Sequence, residues 1–345
     1  MKRLTTYLLL LLCALLCVQC ERRPLVDPGN THYVRVYLDE ELKNITTGFY
    51  DPSLPAPGYA APEVLHVALC DPSGGRVVAE RYLRDQGHDA RGHYYEGYII
   101  ADPGRYHLLV YNFDTETTLV RNAHLYWKAE AYTDEIDSYL LDRLPNRAGS
   151  DERVVRTPDH LFVDHHEDVA VPFTDRVDTL RNAAGEPFFA SSLVKSYYLQ
   201  IRVKGIQWIS SATAMLTGMA GSAVLHEGRA REDDPATIYF DMQRADAAQR
   251  TGGESVLYTT FNTFGKLPDR SNELKVTFNI ITTDGRALTA TIDITEKFSE
   301  PDAVERQWLL LQEVIDIPEP DKPGGGGGFS PDVDDWEDIT TDIII

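Results

Sequence analysis

Apolar and polar residues alternate along most of this chain, which is the pattern of β-strands. After Thr31, the apolar residues Val34, Val36 and Leu38 fall on one side and polar or aromatic residues on the other. This alternation predicts a strand with one buried face. Similar runs predict further strands at 63–70, 76–83, 94–101, 105–113, 168–174, 194–203, 206–216, 223–226, 237–242, 255–263, 273–282, 287–295 and 307–317.

Turn-forming residues separate these runs. Residues 71–75 and 102–104 combine proline with glycine, which preset the backbone angles of a tight turn. Residues 283–286 contain Asp-Gly between two strong runs, which is the best hairpin signal in the chain. Short strands with such punctuation are typical of antiparallel sandwiches, and βαβ units do not show it.

Three segments interrupt the alternation. We predict one short helix within 128–140, an irregular polar segment over 146–168 and a linker at 181–186. The linker divides the chain into two stretches of similar pattern. We therefore predict an all-β protein with tandem antiparallel β-sandwich domains over 31–185 and 186–317.

The N-terminus has the layout of a secretory signal. Lys2 and Arg3 precede an apolar run over 7–18, which at 12 residues is shorter than the roughly 20 needed for a membrane-spanning helix. We therefore assign residues 1–19 to a signal peptide.

Cys20 lies where the apolar run ends, the position at which a lipoprotein signal places its cysteine. The thiol would receive lipid before cleavage, and two acyl chains such as palmitate are sufficient for stable anchoring. Residues 20–30 would then form a lipidated tether. The alternative is an ordinary secreted protein in which Cys20 has no special part.

Cleavage before Cys20 would remove Cys13 and Cys17 and leave Cys70 as the remaining thiol. Because Cys70 closes an apolar alternation, we interpret it as a core residue in preference to a reactive one. The net charge of −21 argues against nucleic acid as a partner, since binding it requires lysine and arginine to neutralise phosphates.

Catalytic motifs are absent from the sequence, which lacks Gly-x-Ser-x-Gly, His-Glu-x-x-His and the paired Cys-x-x-Cys motifs of a zinc site. We predict neither enzyme activity nor a cofactor. The His160, His165 and His166 cluster could bind a divalent metal, but adjacent histidines on an extended chain point in opposite directions, so we favour a solvated loop and assign no metal ligands. Tyr94-Tyr95 and Trp208 could stack on sugars, although packing within the sheets is the favoured interpretation.

The last 28 residues, 318–345, form a separate C-terminal appendage that begins with three prolines in 318–323, continues with five consecutive glycines and has a net charge of −7. Its apolar end can form a strand, which would add to an unpaired sheet edge of its own body or of a neighbour. The alternative is a disordered acidic terminus. The predicted partner-strand residues are Trp336, Ile339, Thr341, Ile343 and Ile345.

Three segments resemble the fimbrillin-like lipoproteins of Bacteroidales, within them the fimbrium anchoring-subunit branch: residues 20–25 (CERRPL), 106–114 (YHLLVYNFD) and 216–221 (LTGMAG). The resemblance implies two transthyretin-like β-sandwiches, attachment to the outer membrane and assembly with fimbrillin-like pilus subunits by donated strands. Cys20 matches the lipidated cysteine of that group.

Our leading hypothesis is a lipid-anchored fimbrial component at the cell surface, an anchoring or assembly subunit that acts by β-strand donation or acceptance in cell adhesion. Two alternatives belong to other classes. One is a surface glycan-binding lipoprotein, and the other is a metal-dependent hydrolase that uses the histidine cluster.

Overall fold

The computed structural model describes residues 30–39, 53–54, 60–113, 115–141, 152–173, 177–246, 254–267, 274–320 and the backbone of 341–342. The protein is all-β, and its two described α-helices are α1 (Ser138–Leu141) and α2 (Pro301–Glu305). No helix of the described chain has the length and apolarity to cross a membrane. The strands are β1 Thr31–Leu38, β2 Leu65–Cys70, β3 Val77–Leu83, β4 Asp85–Asp89, β5 Gly92–Ile100, β6 Gly104–Asn112, β7 Thr118–Arg121, β8 Glu130–Thr133, β9 Arg153–Arg156, β10 Phe162–Val171, β11 Asp178–Thr179, β12 Phe188–Ser192, β13 Lys195–Lys204, β14 Ile209–Ala220, β15 Ser222–Val224, β16 Arg229–Ala230, β17 Pro235–Asp241, β18 Gln243–Ala245, β19 Val256–Thr263, β20 Lys275–Thr282, β21 Ala287–Asp293, β22 Trp308–Asp316 and β23 Thr341–Asp342.

The N-terminal half folds into a nine-stranded sheet in the order β3-β2-β6-β10-β12-β1-β5-β4, with β11 also beside β1. Its two end strands, β3 and β4, are separated only by Arg84, so the sheet bends back on itself. Inward side chains such as Val36, Phe162 and Phe188 meet in one fully buried core.

The C-terminal half contains a four-stranded sheet, β18-β19-β13-β22, and a six-stranded sheet, β23-β21-β20-β14-β17-β9. Alternate residues of both sheets share one core, in which Phe240 and Phe261 stack with ring centroids 4.6 Å apart. Full burial of a side chain such as Phe278 contributes about 1.5–3 kcal/mol. Because many side chains of both sheets are buried together in this core, it is the main source of stability of the C-terminal half.

The two halves exchange strands. From the N-terminal half, β9 pairs in parallel with β17, and from the C-terminal half β15 pairs with β8. These contacts create a further core with members from both halves, including Tyr111, Tyr126, Ala220 and Phe264. The division of the chain at residue 185 and the transthyretin-like topology stay predictions.

Every predicted strand overlaps an observed one, but two predictions are wrong. The predicted helix at 128–140 does not form as one element: β8 occupies 130–133, and helical residues occur only at the two ends, in a 3-10 turn that ends at Lys128 and in α1. The polar segment at 146–168 contains β9 and most of β10. In both cases pairing with distant strands decides the conformation. His165 and His166 lie opposite Leu109 and Leu108 of β6, so ladder hydrogen bonds hold a polar sequence extended.

Candidate functional site: the outer edge of the six-stranded sheet

The site is the outer edge of β21, which a tight hairpin holds against β20. The predicted hairpin is confirmed: Thr282 N donates to Arg286 O at 2.9 Å, and Gly285 has φ +86°. That left-handed angle favours glycine. Arg286 Nε donates to Asp284 Oδ2 at 2.7 Å. The hydrogen bond from Thr282, together with this guanidinium, lowers the pKa of Asp284.

β21 presents one side to β20 and the other to the C-terminal end of the chain. Leu288, Ala290 and Ile292 are buried in the core, which fixes which face of β21 is inward. The backbone of β23 pairs in parallel with β21, with Leu288 opposite Thr341 and Thr289 opposite Asp342. The described part of the appendage's end, residues 341–342, therefore pairs with this edge at two positions.

The beginning of the appendage lies at the same place. Arg286 Nη2 donates to the carbonyl oxygen of Glu319 at 3.4 Å, which ties the proline-rich start of the appendage to the hairpin turn. Described residues from both ends of the appendage thus meet β21 or its turn.

Two buried polar side chains lie beside this edge. Asn279 and Thr289 are cross-strand partners and are 4% and 3% exposed. The Asn279 amide and the Thr289 hydroxyl find no hydrogen-bond partner among the described residues. A buried donor or acceptor without a partner costs about 1–3 kcal/mol. The Asn279 amide and the Thr289 hydroxyl therefore destabilise this part of the sheet unless another group hydrogen-bonds to them. Their polarity beside apolar neighbours was the available sequence signal, but the sequence-based predictions did not include them.

Most of the site residues predicted from the sequence lie outside the described residues. These are Cys20, Trp336, Ile339, Ile343 and Ile345. Only Thr341 of the predicted set is described, as backbone within β23. Lipidation and the partner-strand assignment accordingly stay predictions.

Two members of the histidine cluster, His165 and His166, lie on β10, and His160 lies two residues before that strand. His166 Nε2 is 3.1 Å from Asp164 Oδ1, while burial lowers the pKa of His160 and of His165. Within the part of the chain that the structure describes, no group of three or more His, Cys, Asp or Glu side chains could hold a metal ion. His165 and His166 pair with β6, so they belong to a strand and not to the solvated loop of the sequence-based interpretation.

The other residues singled out from the sequence have structural positions. Cys70 is fully buried, and burial raises the pKa of its thiol to about 12, as expected of a core residue. Tyr95 is fully buried and Trp208 packs against the C-terminal core, so the packing interpretation is confirmed for both. Tyr94 lies on the outer face of β5 beside Tyr37.

Buried histidines make the stability of the protein sensitive to acid. Burial lowers the pKa of His32, which is 0% exposed, and of His66, which is 3% exposed. The unfolded chain then binds more protons than the folded one below about pH 6.5, so stability falls as the pH falls, by at most about 1.4 kcal/mol per pH unit for each histidine. Denaturant unfolding at pH 7.5, 6.5 and 5.5 measures the slope. His32→Leu should reduce it, whereas His88→Gln at an exposed position should not.

The architecture is that of an all-β protein with several sheets, two of which contain strands from both halves of the chain. The edge strand β21 pairs with residues 341–342 of the same chain. A family model described as "Domain of unknown function (DUF5119)" matches residues 71–241. The chain is homologous to "Putative fimbrium anchoring subunit Fim4B" of Bacteroides ovatus, with 24% identity over 96% of this chain and 95% of that protein. The crystal structure of "a putative adhesin from Bacteroides ovatus" has the same fold, with a TM-score of 0.57 and 22% identity over 88% of this chain and 98% of the other.

Proposed function

We propose that this protein is a lipid-anchored fimbrial component, an anchoring or assembly subunit with no enzymatic role. The observation that carries the proposal is homology along 96% of the chain to a protein named as a fimbrium anchoring subunit. The all-β architecture agrees with it. In this proposal residues 31–185 and 186–317 are two transthyretin-like sandwich domains that exchange strands at their junction.

The membrane end of the molecule is the lipid on Cys20. Residues 21–30 (ERRPLVDPGN) are polar and contain two prolines, so they are suited to a short tether between the acyl chains and β1. Attachment to the outer membrane at the cell surface follows from the lipid and from a fimbrial role.

The partner end of the molecule is the appendage, which joins fimbrial subunits by strand addition. A strand added to a sheet edge gains main-chain hydrogen bonds, and its alternate side chains fill pockets. A sequence of five consecutive glycines, 324–328, imposes no preferred backbone conformation, which suits a strand that has to reach another edge. The described residues of β23 and β21 form two residue pairs, and a neighbouring subunit that offers a longer free edge would gain more main-chain hydrogen bonds from the same strand.

Deletion of residues 318–345 tests the proposal. We expect recovery of cross-linked fimbrial subunits from cells to fall at least tenfold, since the strand that joins them is gone, while the folded body persists because its cores lie outside the appendage. In-cell cross-linking, purification and mass spectrometry measure the recovery, and circular dichroism checks the fold.

A matched pair of substitutions separates strand addition from other effects of the deletion. Thr341→Pro removes a backbone donor that a ladder requires, whereas Thr341→Val keeps that donor and a β-branched side chain. Recovery of partners should fall only with the proline. Equal recovery from the deleted chain, the proline variant and the unaltered chain would contradict the role of the appendage, and recovery of a glycan transporter instead of fimbrial subunits would favour the glycan-binding alternative.

A further inference from the structure

A group of aromatic side chains covers the outer face of the N-terminal sheet, across β1, β5 and β12. Alternation along β1 places Val34 and Val36 in the core and Tyr33, Arg35 and Tyr37 on the opposite face. The antiparallel register then sets Tyr33 opposite Tyr98 and Tyr37 opposite Tyr94, while Phe189 of β12 lies beside Tyr37 in the neighbouring pair. We call this surface the aromatic face, and it consists of Tyr33, Tyr37, Tyr94, Tyr98 and Phe189.

The rings of the aromatic face support one another and leave two of them open to solvent. Tyr37 is 3% exposed and lies between Phe189, stacked at 5.1 Å, and Tyr94, edge-on at 5.6 Å. Tyr98 meets Tyr33 edge-on at 5.5 Å. Tyr98 is 56% exposed and Phe189 45% exposed, unlike the rings beneath them. Four residues along β1 separate the two tyrosine pairs, a distance of about 13 Å, so the face is an extended platform.

Charged groups occupy the centre of the platform. Arg35 lies opposite Glu96 in the register, with Nη2 2.6 Å from Glu96 Oε2 and Nη1 3.2 Å from Asp89 Oδ2. Its guanidinium lies 3.9 Å from the centre of the Tyr94 ring, and Tyr37 Oη donates to Asp89 at 2.8 Å. These three charged side chains are 29–36% exposed. The platform therefore offers fixed, accessible donors and acceptors between its rings.

This composition distinguishes among possible ligands. The backbone of β1 is paired on both sides, with β5 and with β11 and β12, so a strand cannot add to it here. Aspartate and glutamate are depleted at the centre of a protein–protein interface, whereas this centre holds Asp89 and Glu96. A sugar carries apolar C–H faces for the rings and hydroxyls that both donate and accept. One guanidinium with two carboxylates disfavours an anionic sugar.

We propose that the aromatic face binds a neutral oligosaccharide, with sugar rings stacked on Tyr98 and Phe189 and hydroxyls hydrogen-bonded to Arg35, Asp89 and Glu96. This activity is independent of the appendage and goes beyond the anchoring role. It gives the protein a carbohydrate contact in the N-terminal half, away from the edge that pairs with the C-terminal strand.

Affinity gel electrophoresis of the purified chain tests the proposal, with gels that contain a neutral glucan, mannan or galactan and parallel gels that contain polygalacturonate. We expect at least one neutral polysaccharide to retard the protein. The double variant Tyr98→Ala with Phe189→Ala should weaken that binding at least tenfold, because it removes the two exposed rings. Phe173→Ala is the matched control, since Phe173 is 77% exposed in the same half but outside the aromatic face, and it should leave binding unchanged.

Several results would overturn the proposal. One is that no neutral polysaccharide retards the protein, or that polygalacturonate alone does. Another is that the double variant and Phe173→Ala lose the same amount of polysaccharide binding. A third is that the double variant loses a cross-linked protein partner. Thermal unfolding of the variants confirms that they fold, as expected for changes at exposed side chains. Because deletion of 318–345 leaves the aromatic face intact, a negative result here leaves the anchoring proposal standing, and the reverse also holds.

Discussion

Replacement of Cys20 by alanine is expected to move the protein from the membrane fraction to the soluble fraction of the cell envelope. The thiol is the proposed attachment point of the acyl chains, and each buried methylene contributes about 0.8 kcal/mol to membrane binding. Two chains make attachment stable, so their loss leaves no comparable anchor in residues 21–30, which are polar. Fractionation with immunoblotting, together with metabolic labelling by a palmitate analogue, measures the effect.

Cys17→Ala is the control for this experiment. Cys17 lies within the apolar run and would be removed with the signal peptide, so its replacement should change neither labelling nor fractionation. If Cys20→Ala were still labelled and still found with the membrane, the lipoprotein assignment would be wrong. A soluble, unlabelled native protein would instead favour ordinary secretion, the alternative left open by the sequence.

Glu130→Ala is expected to lower the free energy of unfolding by roughly 1.5–3 kcal/mol, the range for hydrogen bonds to charged groups. The Glu130 side chain is 8% exposed, and its carboxylate is 2.7 Å from Arg121 Nη2 and 3.1 Å from Arg231 Nη1. Burial opposes ionisation of Glu130, but the two arginines outweigh it and lower its pKa. The contribution is therefore present at neutral pH and is lost as the pH falls through this lowered pKa.

Arg231 belongs to the C-terminal half and Glu130 to β8 of the N-terminal half, so the substitution weakens the contact between the halves. Glu232→Ala is the matched control, because Glu232 is 61% exposed and pairs with Arg229 at 3.3 Å at the surface. Its effect should stay within about 0.5 kcal/mol. Urea unfolding measures the free energy of unfolding of both variants. Equal losses would show that the buried position of Glu130 does not increase the contribution of its ion pairs to stability.

Local sequence was sufficient to predict much of the C-terminal half. The Asp284-Gly285 turn and the alternation of β20 and β21 lie close together in the chain, so a hairpin requires no information from elsewhere. The edge of β21 could not be located in this way. One edge of β21 pairs with β20 and the other with the end of the appendage. The sequence did not indicate which strand the end of the appendage would pair with.

The aromatic face shows the same division. Alternation indicates that Tyr33, Arg35 and Tyr37 share one side of β1. It does not indicate that Tyr98, Glu96 and Tyr94 lie opposite them, since that depends on the register with β5. A shift of one residue would turn every side chain of the strand to the other face.

Short-range chemistry in the chain specified the approximate positions of the strands and of the Asp284-Gly285 hairpin turn, and the −21 charge argues against nucleic acid as a partner. Tertiary structure alone specified that β9 joins the C-terminal sheet and that β15 joins β8. Segments such as β8 and β9 have four residues each and are too short to be stable alone. Their conformation comes from ladders with strands far away in sequence, and the entropy cost of closing those long loops is offset only when the shared core is buried.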